Sequence, residues 1–139
     1  MEYRTNELTM TLPGTGWEDT SRNTLELPAP DGSLITLEIV RADPVSPEAL
    51  PGRVDADIRG HARHQRGFEL RLRETFESTA LHAVRVSFRT MAPEGALEHE
   101  VAYVPLPGVL LVFVVHGAVQ HAEACGQILR EAVESIRLR

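Results

Sequence analysis

Lysine is absent from this 139-residue chain, and all fourteen of its basic residues are arginine. Twenty acidic residues outnumber them, so the formal net charge at pH 7 is −6. A chain with this balance repels phosphate backbones, and nucleic acid is therefore not an expected partner. Cysteine occurs once, as Cys125. A single cysteine excludes an intramolecular disulfide and gives no support for an exported, disulfide-stabilised domain.

Long apolar runs are also absent. The longest spans only residues 109–115, far short of the ~20 residues that a transmembrane helix needs. Pro105, Pro107 and Gly108 precede it as turn residues, so the run is predicted to be a central strand that is buried on both faces. The first residues lack the basic and the continuous apolar segment of a signal peptide. We therefore expect a cytoplasmic protein without direct membrane anchoring.

Motifs for catalysis are missing as well. There is no G-x-S-x-G nucleophile motif and no glycine loop for phosphate, so neither an enzyme nor a cofactor is predicted. Asp57, His61 and His64 recur at i, i+4 and i+7, which would place them near one side of a helix. A metal site could use this spacing, but a solvated or edge-packed helix face is the simpler interpretation. Any role of these three residues stays open.

What is present is a regular alternation of apolar and polar residues, which predicts strands. The predicted strands cover about residues 8–12, 24–27, 35–39, 68–73, 84–89 and 97–104, followed by the apolar run. The first of them presents Leu8, Met10 and Leu12 on one face, and the fourth presents Phe68, Leu70 and Leu72.

Two helices are predicted between and after these strands. The first has a cap-like Ser46 and Pro47 in its first turn, and Pro51 and Gly52 are expected to separate that turn from the rest. Its apolar stripe is Leu50, Val54, Ile58 and Ala62. The second has the stripe Ala122, Cys125, Leu129, Ala132, Val133 and Ile136, which makes Cys125 a small core residue. This order predicts one α+β domain over residues 1–139, built around an antiparallel sheet.

Two helices are too few to cover such a sheet. A helix is about 10 Å across and strands lie ~4.8 Å apart, so two helices cover only about four strand widths. About seven strands with an apolar face would leave apolar surface exposed, at a cost of roughly 25 cal/mol per Å². A second subunit, a ligand or a client protein could cover that surface. A strongly coiled sheet that folds onto itself is the alternative.

The segment TLPGTGWEDTSRNTLELP carries a family resemblance. Its Trp17, Asp19, Ser21 and Asn23, after a Leu-Pro and a glycine, resemble the opening of DcrB-like proteins, and among these the effector-associated (Eag) chaperones of bacterial type VI secretion systems. The later segments IVRADP, RGFEL and FRTMAPEGALEHEVAYV agree in order, so the resemblance covers essentially the whole chain. Trp17 is expected to anchor a loop to the core, with the three polar residues satisfying turn backbone groups.

The resemblance implies a fold and a function. The fold is a PsbP-like α/β/α sandwich, with a curved antiparallel sheet and two main helices. The function is that of a homodimeric cytoplasmic chaperone, which shields the hydrophobic N-terminal transmembrane segments of a PAAR-containing effector before loading onto the secretion spike. Such shielding is passive and needs no nucleotide or other cofactor. The alternatives are a DcrB-like binding domain for another protein partner and a small metal-dependent enzyme.

A groove for the client is predicted on the sheet. The candidate apolar residues of this groove are Leu25, Leu27, Leu37, Ile39, Leu70 and Leu72. Glu98 and Glu100 share one face of a later strand and are candidates for polar contacts with the client. Family members often have glutamine at these two positions, so polar recognition here is expected to differ. The same leucines would also suit a self-packed core, and the sequence does not say which face the first helix covers.

Overall fold

The computed structural model describes residues 2–4, 9–11, 22–76 and 82–136, with side chains from residue 23 onward. Two short strands, β1 (Glu2–Arg4) and β2 (Thr9–Thr11), form a separate antiparallel pair. The prediction that the first alternating segment joins the main sheet is therefore wrong. Leu8, Leu12, Trp17, Asp19 and Ser21 lie outside the described residues.

Six strands form the main sheet, and all neighbouring pairs are antiparallel. They are β3 (Arg22–Pro28), β4 (Leu34–Ala42), β5 (Glu69–Thr75), β6 (Val84–Ala92), β7 (Gly95–Leu106) and β8 (Val109–Ala118). Their order across the sheet is β3-β4-β8-β7-β6-β5. The apolar run thus forms an interior strand between β4 and β7, as its composition predicts.

The two helices pack on opposite faces of this sheet. Cross-strand partners share a face, and the register divides the core into two clusters. On one face, α2 (Ala122–Glu134) places Leu129 and Val133 against Phe113 and Val115. On the other, α1 (Leu50–His64) places its own apolar residues, Leu50 and Val54, against β6, β7 and β8. The chain is therefore an α/β/α sandwich of the α+β class, which confirms the predicted fold.

The first helix begins later than the sequence predicts. Residues 47–49 form a turn in which Ser46 accepts hydrogen bonds from the backbone N–H groups of Ala49 and Leu50, at 3.0 Å each. The helix itself starts at Leu50, with Pro51 in its first turn. A proline is tolerated there because its missing N–H has no acceptor inside the helix. The predicted break at Pro51 and Gly52 is wrong, and Pro51 has the role assigned to Pro47.

The turn between β3 and β4 is held to the start of α2. Asp31 accepts hydrogen bonds from the backbone N–H and the hydroxyl of Ser33, at 3.0 and 2.6 Å. Its Oδ2 lies 2.9 Å from Nε2 of His121, just before α2. The hydrogen bonds from Ser33, together with that from His121, hold the pKa of Asp31 well below its ordinary value. The hairpin turn and the beginning of α2 are thus connected through side chains.

Close packing of α2 on the sheet buries Cys125 completely. A Cβ at Gly117 of β8 would approach its Sγ to 3.4 Å, so the absence of a side chain there allows the contact. Burial, followed by the charges of Glu100 and Glu98, raises the pKa of the Cys125 thiol to about 11. The prediction that Cys125 is a core residue is confirmed.

Cys125 is expected to be inert in the folded protein. At pH 8 a pKa of about 11 instead of 9.0 lowers the thiolate fraction about a hundredfold, and burial adds a steric barrier. Native protein should therefore react with Ellman's reagent at least about a hundredfold more slowly than protein unfolded in guanidinium. Equal rates in the two states would contradict this packing of α2.

Candidate functional site

Apolar residues of the two strands at one edge of the sheet form a patch that is exposed on β3 and partly buried on β4. In the register of β3 and β4, Leu25 lies opposite Leu37 and Asn23 lies opposite Ile39, which puts these side chains on the face of α2. The side chains of Leu25 and Leu27 are 50% and 53% exposed. We name Leu25, Leu27, Leu37 and Ile39 the β3–β4 patch.

The β3 part of the patch is exposed because α2 covers another part of the sheet. This helix packs on β7 and β8, and a helix covers only about two strand widths. Its Ile128 reaches the border of the patch and closes a concavity of about 150 Å³ with Leu25, Leu27, Ile35 and Leu37. In the part of the chain that the structure describes, the leucines of β3 have no cover beyond that border.

The structure brings four of the six predicted groove residues together but separates the other two. Leu70 lies opposite Phe88 and Leu72 opposite Ser87, so the register shifts by one residue at Arg71. Phe88 belongs to the α1 face, and this β-bulge places Leu70 there and Leu72 on the α2 face. The prediction that Leu70 and Leu72 share a face is wrong. Both lie on β5, at the opposite edge of the sheet from the patch.

Glu98 and Glu100 share one face of β7, as predicted, but they are buried, with 4% exposure each. Arg89 donates from Nε to Glu98 at 2.8 Å. Arg85 donates to Oε2 of Glu100 from Nε and Nη2, at 3.1 Å each, and the hydroxyl of Ser87 donates to the same oxygen. Both carboxylates are thus engaged within the chain. As placed, they offer a client little accessible surface.

Burial dominates the electrostatics of Glu100. Desolvation raises the pKa of its carboxyl, although Ser87 and Arg85 act in the opposite direction. Gly126 of α2 lies directly over the pair, and a Cβ there would come within 3.1 Å of Nη2 of Arg85. The helix therefore seals this ion pair against the sheet. Arg85 and Glu100 are 8% and 4% exposed, so the pair lies in the interior between α2 and the sheet.

The three candidate metal ligands on α1 are engaged in other contacts or exposed. Asp57 accepts from Nε of Arg53 at 3.2 Å and from the hydroxyl of Tyr103 at 3.0 Å. His61 stacks on Phe88, and His64 is exposed. No group of three metal-ligating side chains occurs among the described residues. The arrangement is that of a helix edge packed against the sheet.

A row of stacked rings crosses the α1 face. The ring centroids of Phe88 and His99 are 4.6 Å apart, and those of His99 and His116 are 5.9 Å apart. Nε2 of His99 lies 2.7 Å from the hydroxyl oxygen of Thr90. Burial, with smaller contributions from His116 and His61, lowers the pKa of His99 to about 4. His99 is therefore neutral at pH 7.

One residue of the patch border was not predicted from the sequence, and one other residue was predicted in the wrong element. Ile128 lies three positions after Cys125, so the helical period would have included it in the apolar stripe of α2. Asn23, expected in a turn, lies within β3. In addition, neither described helix is long and apolar enough to span a membrane.

Comparisons with known proteins identify the fold alone. A crystal structure of PA94, a Pseudomonas aeruginosa protein of unknown function, matches with a TM-score of 0.83 at 17% sequence identity, over 100% of this chain and 96% of that chain. The solution structure of cyanobacterial PsbP (CyanoP) from Synechocystis sp. PCC 6803 matches with a TM-score of 0.58 at 9% identity, over 100% and 92%. No family model and no curated protein matches the sequence.

Proposed function

We propose that this protein is a DcrB-like chaperone of the effector-associated (Eag) type, which binds the apolar N-terminal helices of a PAAR-containing type VI secretion effector. The observation that carries the proposal is the β3–β4 patch, where two leucines of one strand are about half exposed beside a shallow concavity. The sequence resemblance supplies the identity of the client. The proposed site of action is the cytoplasm.

The β3–β4 patch is suited to an apolar client. Exposed leucine surface is costly in water, at roughly 25 cal/mol per Å², and an exposed contiguous apolar area is typical of protein-binding surfaces. A helix of the client would lie beside α2 on β3 and β4, which together are about as wide as one helix. It would exchange contact with water or lipid for contact with Leu25 and Leu27.

The proposed mechanism is passive. The client helix would be held by apolar contact and released when the effector is loaded onto the spike, so no nucleotide is involved. A homodimer belongs to the proposal, since a second subunit would add a second patch and lengthen the surface available to a transmembrane segment. Glu98 and Glu100 act in this scheme by holding β6 to β7 under α2, and their contact with the client is not part of it.

Co-expression with a PAAR-containing effector that has N-terminal apolar helices, sought among the products of neighbouring genes, tests the proposal. The wild-type protein should co-purify with the N-terminal region of the effector and keep it soluble. The double variant Leu25→Asp and Leu27→Asp should co-purify with at least about tenfold less effector, because each carboxylate would have to be desolvated against an apolar helix. Both positions are exposed, so circular dichroism and the melting temperature should show an intact fold.

Leu34→Asp is the matched control. Leu34 is 46% exposed, but it starts β4 and lies opposite Pro28, on the face of α1. It should leave capture unchanged. Capture that survives the double variant would place the client elsewhere, and a double variant that unfolds would show that these leucines belong to the core. Capture of a soluble partner without apolar helices would instead favour a DcrB-like domain that binds another kind of protein.

A further inference from the structure

A cleft lies between α1 and the sheet, on the face opposite the β3–β4 patch. Its volume is about 550 Å³, which is within the size range of small-molecule sites. The floor is formed by β4 and β8, with the valines Val40, Val112 and Val114. One wall is formed by α1. We name this space, as bounded by the residues that the structure describes, the α1 cleft.

Small residues of α1 keep the cleft open. Ala56 and Gly60 line it and lie four positions apart, on the side of the helix that faces the valines. A Cβ built at Gly60 meets no atom within 4 Å. A larger side chain at either position would project into the cleft. Glycine destabilises the interior of a helix by roughly 0.5–1 kcal/mol relative to alanine. At position 60 it therefore leaves the cleft unfilled at a cost in helix stability.

The polar part of the lining is concentrated at Arg53 and Asp57. Nε of Arg53 donates to both carboxylate oxygens of Asp57, at 3.2 and 3.3 Å, and the hydroxyl of Tyr103 donates to Oδ2. Asp57 is thus satisfied. Among the described residues, Nη1 and Nη2 of Arg53 make no hydrogen bond, and its side chain is 35% exposed. Two N–H groups of a guanidinium fork match the two oxygens of a carboxylate.

Two histidines beside the valine floor are uncharged at neutral pH. His61 and His99 border the cleft, and burial lowers the pKa of both, so their imidazoles present neutral rings beside the valine floor. An apolar body therefore fits the floor, and a single negative charge fits the guanidinium at the wall. A cationic ligand would find only Asp57, whose two oxygens already accept hydrogen bonds from Arg53 and Tyr103.

We propose that the α1 cleft binds a small monocarboxylic acid, with its apolar body on Val40, Val112 and Val114 and its carboxylate on Arg53. This site is separate from the β3–β4 patch and does not depend on the client proposed above. A medium-chain fatty acid and an aryl carboxylic acid both have an apolar body and one carboxylate. Separate titrations with octanoate and 4-phenylbutyrate distinguish the two.

NMR titration of the folded protein at pH 7 tests the proposal. Octanoate or 4-phenylbutyrate should shift the amide signals of Val40, Val112, Val114 and Gly60 with a common saturating isotherm. Octan-1-ol, which lacks the carboxylate, should bind about tenfold more weakly, because hydrogen bonds to charged groups are the stronger ones. Arg53→Gln should weaken octanoate binding by the same factor. Arg59→Gln, at an exposed position of the same helix that does not line the cleft, should leave it unchanged.

A second pair of variants tests the volume itself. Gly60→Leu should abolish octanoate binding, since its side chain would fill the cleft while α1 gains helix propensity. Gly52→Leu, in the first turn and outside the cleft, should bind octanoate as the wild type does. Equal affinity for octanoate and octan-1-ol, binding retained by Gly60→Leu, or shifts confined to Leu25 and Leu27 would each overturn the proposal. If Gly60→Leu fails to fold, Arg53→Gln against Arg59→Gln decides.

Discussion

Replacing Arg85 by methionine is expected to lower the free energy of unfolding at pH 7 by about 3–5 kcal/mol. Arg85 is 8% exposed and Glu100 is 4% exposed. Removal of the guanidinium would leave the carboxylate of Glu100 buried under α2, with the hydroxyl of Ser87 as its one side-chain donor among the described residues. An unpaired buried charge is among the few causes of so large a loss. Urea unfolding measures this loss. The slope of the free energy of unfolding against urea concentration should equal that of the wild type.

Two further variants identify the cause of this loss. Arg71→Met removes an exposed ion pair with Glu69, 3.3 Å long, on β5, and should cost less than about 1 kcal/mol. The double variant Arg85→Met and Glu100→Leu should recover most of the stability, because buried ion pairs replaced by apolar residues are often neutral. A double variant as unstable as Arg85→Met alone would show that packing of the arginine stem, and not the stranded carboxylate, is responsible.

Acid should destabilise the wild type through His99. In the folded protein the pKa of His99 is about 4, against 6.5 for an unperturbed histidine. Between these values the unfolded chain binds the proton and the folded protein does not, so stability is fully present above about pH 6.5 and is lost as the pH falls to about 4. At about 1.4 kcal/mol per pKa unit, the loss approaches 3 kcal/mol.

The variant His99→Phe isolates this contribution. It keeps a ring against Phe88 but cannot be protonated, so its stability between pH 7 and pH 4 should fall by about 3 kcal/mol less than that of the wild type. Thr90→Val removes the hydroxyl beside Nε2 but keeps the burial, and it should retain the pH dependence of the wild type. Parallel pH profiles of wild type and His99→Phe would contradict a lowered pKa.

Alternation in the sequence located the outer strands of the main sheet because a half-buried sheet selects apolar residues at every second position, and the uninterrupted apolar run located the interior strand β8. It could not locate the bulge in β5. Leu70, Arg71 and Leu72 read as regular alternation, yet an extra residue opposite β6 reverses the face from there on. A bulge is set by pairing with another strand and has no reliable local signal here.

The candidate site was predictable in part for a similar reason. The alternation of apolar and polar residues puts Leu25 and Leu37 on the apolar faces of their strands, and in the structure they are cross-strand neighbours. The burial of Glu98 and Glu100 could not be predicted, because it depends on Arg89 and Arg85 of the adjacent strand and on the close approach of Gly126. Which sheet area α2 leaves uncovered likewise follows from tertiary packing and not from local pattern.

The link between the hairpin turn and α2 determines how the patch can widen. Asp31 and Ser33 fasten the turn to His121, so the strand pair and the helix are joined at that end. Ile39 and Asn23 lie at the far end of the same strands. Any separation of β3 from the helix would therefore be largest near Asn23 and smallest near the turn. In the proposed complex, bulky side chains of the client would be accommodated at the distant end, which would give the client segment a preferred direction along the strands.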